Sequence, residues 1–405
     1  MSQVAYLLAA TRAPQARIVG AVSAAHFVSH YYIILFAPLL PFVRADFGVT
    51  YTEIGIAFSV FNVVTAALQT PAGFLVDRVG ARMLLIGGLV LGAAAFIAVA
   101  FAHSFWVLVA MFGLAGVGNT VYHPADYTLL SRHVSSKHIG QAFSVHTFAG
   151  MLGSAVAPAT LLMMQSLWGW RGAFIGAGVL GLAVAALLAV MREDGAAVDV
   201  AASNGRAPEG PERWRVLLSA PILLNLLFFV LLAMIAGGIY NYSVVALAAL
   251  YGTPVTTANT ALSVYLLLSA AGVLAGGLLV TRTDRHGVVA GVGLVLMALS
   301  AALIARINFG AWMLIAVMGL GGFASGVIMP SRDMIVRAVT PPGSFGSVFG
   351  FVTSGFNIGG IIAPLAFGAI MDHGAPGLVF SGAAAISLIA VITVATRPRK
   401  VPAAS

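Results

Sequence analysis

Long apolar runs, separated by short polar segments, fill almost the whole chain. Twelve of them approach or exceed the ~20 residues that a bilayer-spanning helix needs. They lie at roughly 18–43, 52–76, 83–102, 105–131, 139–166, 171–191, 217–249, 255–280, 288–306, 311–337, 345–371 and 376–396. Backbone facing lipid must satisfy its own hydrogen bonds, so runs of this length predict helices rather than barrel strands. The expected fold is an all-α integral membrane protein with twelve transmembrane helices. Glycine and proline recur inside the runs, as where helices approach closely or bend.

The polar segments set the organisation. The longest, "REDGAAVDVAASNGRAPEGPERWR", is rich in Gly, Ala, Pro and charge and reads as a linker. It divides the chain into six spans at 1–191, a linker at 192–216, six spans at 217–396 and a tail at 397–405. With the first residues inside, the inner segments hold Arg12, Arg17, Arg78, Arg82, Arg132, Lys137, Arg192, Arg206, Arg213, Arg215, Arg282, Arg285, Arg337, Arg397, Arg399 and Lys400. The outer loops hold only Arg44, Arg171 and Arg306. This asymmetry predicts that both ends are cytoplasmic. The opening "VAYLLAA" is short and lacks a basic flank, so it reads as a cytoplasmic tail rather than a signal peptide.

Composition agrees with a bilayer as solvent. The 405 residues are 60% hydrophobic and 8% charged, against roughly 25% charged in soluble domains. The net charge of +8 comes from clusters between spans, as for loops near anionic lipid, and is not a nucleic-acid footprint. There is no cysteine, which excludes disulfides and thiolate chemistry.

The two halves repeat. Residues 123–158, "HPADYTLLSRHVSSKHIGQAFSVHTFAGMLGSAVAP", align without gaps on 329–364, "MPSRDMIVRAVTPPGSFGSVFGFVTSGFNIGGIIAP". Pro124, Gly140, Gly153 and Pro158 fall on Pro330, Gly346, Gly359 and Pro364. "DRVG" at 77–80 is echoed by "DRHG" at 284–287. Two parallel six-helix repeats are a transporter signature, with substrate held between them near the midplane.

The segment "GFLVDRVGAR", 73–82, resembles the loop 2–3 signature of the major facilitator superfamily. With twelve spans, a central loop and the half-repeat, the resemblance covers essentially the whole chain. "AHFVSHYY" in span 1 and "YHPAD" in span 4 resemble the fosmidomycin-resistance-like branch of exporters. "GMLGSAVAPA" in span 5 resembles the antiporter motif of drug–proton exchangers, with Ala157 in place of the glycine before Pro158 and without the glycines after it. The resemblance implies that spans 1, 4, 7 and 10 line a central cavity. It implies a monomer in the inner membrane, and that Asp77 meets the span 11 dipole when the cytoplasmic side is closed. Arg78 and Arg82 belong to that conformational gate, and Asp284, Arg285 and Asp333 are their candidates in the second half.

Ionisable side chains inside spans are costly and invite a functional reading. His26 and His30 share one face of span 1, and Asn119, His123 and Asp126 share one face of span 4. His146 lies in span 5, and "GGIYNYS" adds Tyr240 and Asn241 in span 7. These residues, with Arg332, are the candidates for binding substrate or protons; Asn62, Gln69 and Asn357 are weaker cavity candidates. Each histidine has an ordinary alternative, a hydrogen bond to a neighbouring helix. A zinc site from two histidines and an aspartate needs a convergence that sequence does not show, and no metal is expected. Asp126 lies about 12 Å to the cytoplasmic side of mid-span. The repeat sets it opposite Arg332, which predicts a pair across the halves when the cytoplasmic side closes. Alternatively, Arg332 pairs with Asp333 or snorkels to headgroups, or it binds an anionic substrate. Pro124 predicts a kink in span 4, and a static packing bend is its plain alternative.

The leading function is secondary transport of a small organic compound by alternating access, proton-coupled and outward. The alternatives are proton-coupled uptake or exchange of an organic anion, and a non-transporting membrane sensor. No nucleotide loop, nucleophile motif or cofactor fingerprint occurs, so enzyme activity, ATP drive and a cofactor are not expected.

Overall fold

A computed structural model describes residues 14–135, 138–191, 215–341 and 345–395. The linker up to residue 214, the tail 397–405 and the side chain of Asp77 lie outside the described residues. All regular structure among the described residues is helical. Span 1 runs Pro14–Ile34, with a turn at Ala37–Leu39 and a short helix Leu40–Phe47. Span 2 is Tyr51–Val79 and span 3 is Ala81–Val99. Span 4 is split into Phe105–Asn119 and Tyr122–His133.

Eleven helical stretches among the described residues are long and apolar enough to cross a membrane. One of them, Gln141–Val190, is 50 residues long. At ~1.5 Å per residue it would measure about 75 Å, more than twice the ~30 Å hydrocarbon core. It turns at Gly169, whose φ of 70° and ψ of 173° interrupt the helix. Such a backbone is open to glycine alone, so this stretch makes two crossings, spans 5 and 6, and the count among the described residues is twelve. Spans 7 to 12 are Ala220–Tyr251, Val255–Val280, His286–Arg306, Ala311–Val339, Phe345–Asp372 and Gly377–Ala395.

Contacts divide the chain into a first unit, within Met1–Phe47 and Val60–Ala202, and a second, within Gly48–Ser59 and Ser203–Ser405. In the first unit, span 1 packs along the span 5 helix, and span 3 packs on that same long helix and on span 4. In the second, span 7 packs on span 11, span 8 on span 10, and span 9 on spans 10 and 12. The repeat is thus visible in packing. Gly116 of span 4 lies against the Phe61 carbonyl of span 2, where a Cβ would come within 2.7 Å of the oxygen. Gly322, 206 residues on, lies against the Tyr265 carbonyl of span 8 in the same way. Small residues at these crossings let the helix backbones touch.

The second unit also holds the start of span 2. Thr50 and Glu53 form a capping box: the Thr50 N–H donates to Glu53 Oε2 at 2.8 Å and the Glu53 N–H to Thr50 Oγ1 at 3.1 Å. Asp372, at the end of span 11, accepts from the Tyr51 and Thr52 N–H groups at 2.7 and 2.8 Å. A carboxylate on orphan N–H groups at a helix start is stabilising.

Candidate functional site

The break in span 4 falls where sequence predicts a bend. Pro124 has no N–H to give the Thr120 carbonyl, and its ring crowds that carbonyl. The helix ends at Asn119, with Thr120 as its cap, and restarts at Tyr122. The second half of the repeat behaves differently: Pro330 sits inside an unbroken helix. The restart carries the inward face of span 4. Asp126 is fully buried, and Asn119 and Pro124 are half-buried.

Span 1 brings His26 to Asp126, and span 5 brings His146. His26 Nδ1 lies 3.4 Å and His146 Nε2 3.6 Å from the same oxygen, Asp126 Oδ2. The two imidazoles stack with centroids 3.8 Å apart. His26 is 4% exposed, His146 1% and Asp126 0%. Both Asp126 oxygens, His26 Nδ1 and both His146 nitrogens are buried and make no hydrogen bond. These contacts exceed the 2.7–3.2 Å of a true N–H···O bond. An isolated carboxylate in such a place is costly, so the cluster must be neutralised by a proton or by a cation held among its three members. His26, Asp126 and His146 each offer one ligand atom, and these lie within 4.8 Å of one another.

The other two histidines flank the trio. The His30 ring sits tilted against His26, at 4.6 Å between centroids, and shares a hydrogen bond of 3.3 Å with Ser154 of span 5. His123 is exposed; its ring lies 5.5 Å from His26 and 5.9 Å from Tyr127. Gly150 of span 5 makes the approach possible: a Cβ there would come within 2.5 Å of His26 Cδ2 and 2.9 Å of His30 Cδ2. Gly150 and Ser154 lie in the span 5 segment "GMLGSAVAPA", but the sequence did not mark them as site residues. The small-residue spacing of Gly150 and Gly153 was the available signal.

The second-half candidates belong to the other unit. Arg332 donates from Nε to Asp333 Oδ1 at 2.9 Å, and its Nη2 lies 2.8 Å from the same oxygen. Its guanidinium sits 4.6 Å from the Phe229 ring centre and 5.2 Å from that of Phe356. Asp126 thus lies against His26 and His146, and Arg332 against Asp333. Tyr240 and Asn241 are half-buried, and the Tyr240 ring lies 6.0 Å from Tyr265. Of the gate candidates, Arg78, Asp284 and Arg285 are exposed. Arg82 donates to the carbonyls of Leu188, Ala189 and Met191 at the end of span 6, a cation satisfying the last carbonyls of a helix.

Two helical bundles packed on one repeated plan, with ionisable groups buried inside a span-rich core, define a polytopic membrane protein of the secondary-transporter class. The chain belongs to the Major Facilitator Superfamily, whose family description it matches over residues 22–245 and 226–405. It is 24% identical over 382 residues to the fosmidomycin resistance protein of Escherichia coli K12, covering 93% of this chain and 92% of that one. Multidrug resistance protein MdtH of Aeromonas hydrophila is 25% identical and covers 79% of each. A probable L-galactonate transporter of E. coli K12 is 32% identical over 35% of this chain and 32% of its own. Among solved structures, a bacterial homologue of the human lysosomal transporter Spinster, inward-facing and unoccupied, aligns with a TM-score of 0.76 at 15% identity, covering 95% of both chains. The protein is therefore a multi-pass membrane transporter of small molecules and not an enzyme.

Proposed function

We propose that this protein exports a small organic compound by alternating access, driven by the proton gradient, from an inner membrane in which both of its termini are cytoplasmic. The observation that carries this reading is the end-to-end similarity to a resistance protein. A partial match could reflect shared scaffold alone, whereas this one spans both bundles. Further relatives, multidrug resistance proteins, point the same way. Proton drive fits a chain whose 405 residues carry no nucleotide-binding loop. The polar groups we assign to substrate contact are Asn119 and His123 in the first unit and Tyr240 and Asn241 in the second.

A second reading, exchange or uptake of an organic anion, is favoured by Arg332, a cation within a span that rests against two aromatic rings. Asp333 already neutralises that cation, which is why export stands first. Expression in a pump-depleted bacterial strain separates the two. Export predicts a raised inhibitory concentration for at least one antibiotic, fosmidomycin first, at unchanged growth without drug. Unchanged sensitivity to a broad panel, with growth gained on a sugar acid as carbon source, supports the second reading instead.

A further inference from the structure

We propose that His26, Asp126 and His146 form a binding site for a divalent transition-metal ion inside the first bundle. The inference stands on geometry and does not depend on the transport reading. Three separate spans bring one ligand atom each within 4.8 Å of one another. A zinc-like ion holds nitrogen and oxygen ligands at ~2.0–2.1 Å in a tetrahedron, which puts neighbouring ligand atoms about 3.3–3.4 Å apart. The two nitrogens stand 3.4 and 3.6 Å from Asp126 Oδ2. A proton shared between a carboxylate and an imidazole would draw the heavy atoms to about 2.7–2.9 Å. Here both gaps are wider, and by similar amounts.

Hydrogen-bond economy points the same way. Neighbouring polar groups of this bundle are satisfied: His30 bonds Ser154, Tyr31 bonds Thr160, and Tyr32 donates to the Ala177 carbonyl. At the centre five nitrogen and oxygen atoms of three buried residues stand without a bond, a denser group than the single atoms left so at Ser23 and Tyr122 of the same unit. Buried polar groups are rarely left so, and a metal ion is a partner that two imidazoles and a carboxylate can bind together at these wider spacings.

The donor set fixes the class of ion. Imidazole with carboxylate suits Zn2+, Co2+ or Ni2+, whereas Ca2+ and Mg2+ demand oxygen ligands and Cu+ prefers sulfur. Three protein ligands leave a fourth position open, the pattern of metal sites that also bind water or a small ligand. His123, exposed and with its ring near that of His26, stands where an ion would enter.

The test is a titration of the purified full chain in detergent, its affinity tag removed and its metals stripped by a chelator. Co2+ serves as the spectroscopic probe. The expected result is one equivalent per chain, with the visible absorption of low-coordinate cobalt, abolished by adding Zn2+. Asp126→Asn and His146→Ala each weaken binding at least tenfold, and His133→Ala, a change at the far end of span 4, leaves it unaltered. Should the site variants lose their monodisperse gel-filtration profile, the wild-type protein gives a second readout. Zn2+ then protects His26 and His146 from histidine-modifying reagent, read by mass spectrometry. Absence of stoichiometric Co2+ binding, or binding and protection that ignore these residues, overturns the proposal and leaves the trio as a proton-sharing network.

Discussion

At the scale of single residues, two small positions decide whether the histidine cluster can exist. Gly150 gives span 5 no side chain where His26 and His30 rest against it. Gly150→Leu should cost about 1–3 kcal/mol through overpacking, seen as a lower melting temperature in detergent. It should also widen the separation of span 1 from span 5. Arg82 is the second case. Its guanidinium serves three carbonyls at the end of span 6. Arg82→Ala should lower stability by about 1–3 kcal/mol, the range for hydrogen bonds to a charged group. Arg82→Lys should recover only part, since a single ammonium cannot reproduce the fork. Equal melting temperatures for Arg82→Ala and the parent would contradict this capping role. The residue scale is also where sequence was least legible. The i, i+4 spacing put His26 and His30 on one face, and Asn119, His123 and Asp126 on another, but spacing within a helix says nothing about which helix lies opposite. Convergence of His26, Asp126 and His146 is set by the packing of spans 1, 4 and 5. The pairing of Arg332 with Asp333 was one of several options that only side-chain geometry separates.

At the scale of elements, punctuation in the sequence was well written and its detail was not. Pro124 announced a bend in span 4, and the helix does stop at Asn119 and resume at Tyr122. Its repeat partner Pro330 leaves span 10 continuous, so the same residue type at the same place in the repeat has different outcomes. Pro124→Ala should restore the missing N–H and allow the two helices to merge. Transport should fall while the melting temperature holds or rises, because the bend places Asp126 and His123 rather than stabilising the fold. Retained transport would assign Pro124 to packing. Gly169 is the contrasting element-scale feature, since the sequence split spans 5 and 6 by length and polarity alone. Its φ of 70° and ψ of 173° exclude a side chain without strain of about 1–3 kcal/mol. Gly169→Ala should therefore reduce the yield of folded protein in membranes, measured by fluorescence-detected gel filtration.

At the scale of the whole molecule, most of the architecture follows from the bilayer. A chain 60% hydrophobic and 8% charged has few ways to fold in lipid, and the run lengths count the crossings. The half-repeat, read from prolines and glycines, reappears as matched close approaches at Gly116 and Gly322. Orientation rests on the Lys and Arg asymmetry and has a direct check, because the chain has no cysteine to interfere with labelling. Ser203→Cys in the linker should react with a membrane-impermeant thiol reagent only in inverted vesicles, and His103→Cys only in intact cells. The opposite pattern would reverse the topology and with it the direction assigned to transport. The measurement that tests the central claim most directly is transport by the purified protein in liposomes carrying an internal pH dye, with compounds supplied under an imposed proton gradient. The account predicts that at least one compound moves protons as it crosses, and that collapsing the gradient stops its accumulation. Transport that proceeds equally with and without the gradient would contradict it and leave a facilitator.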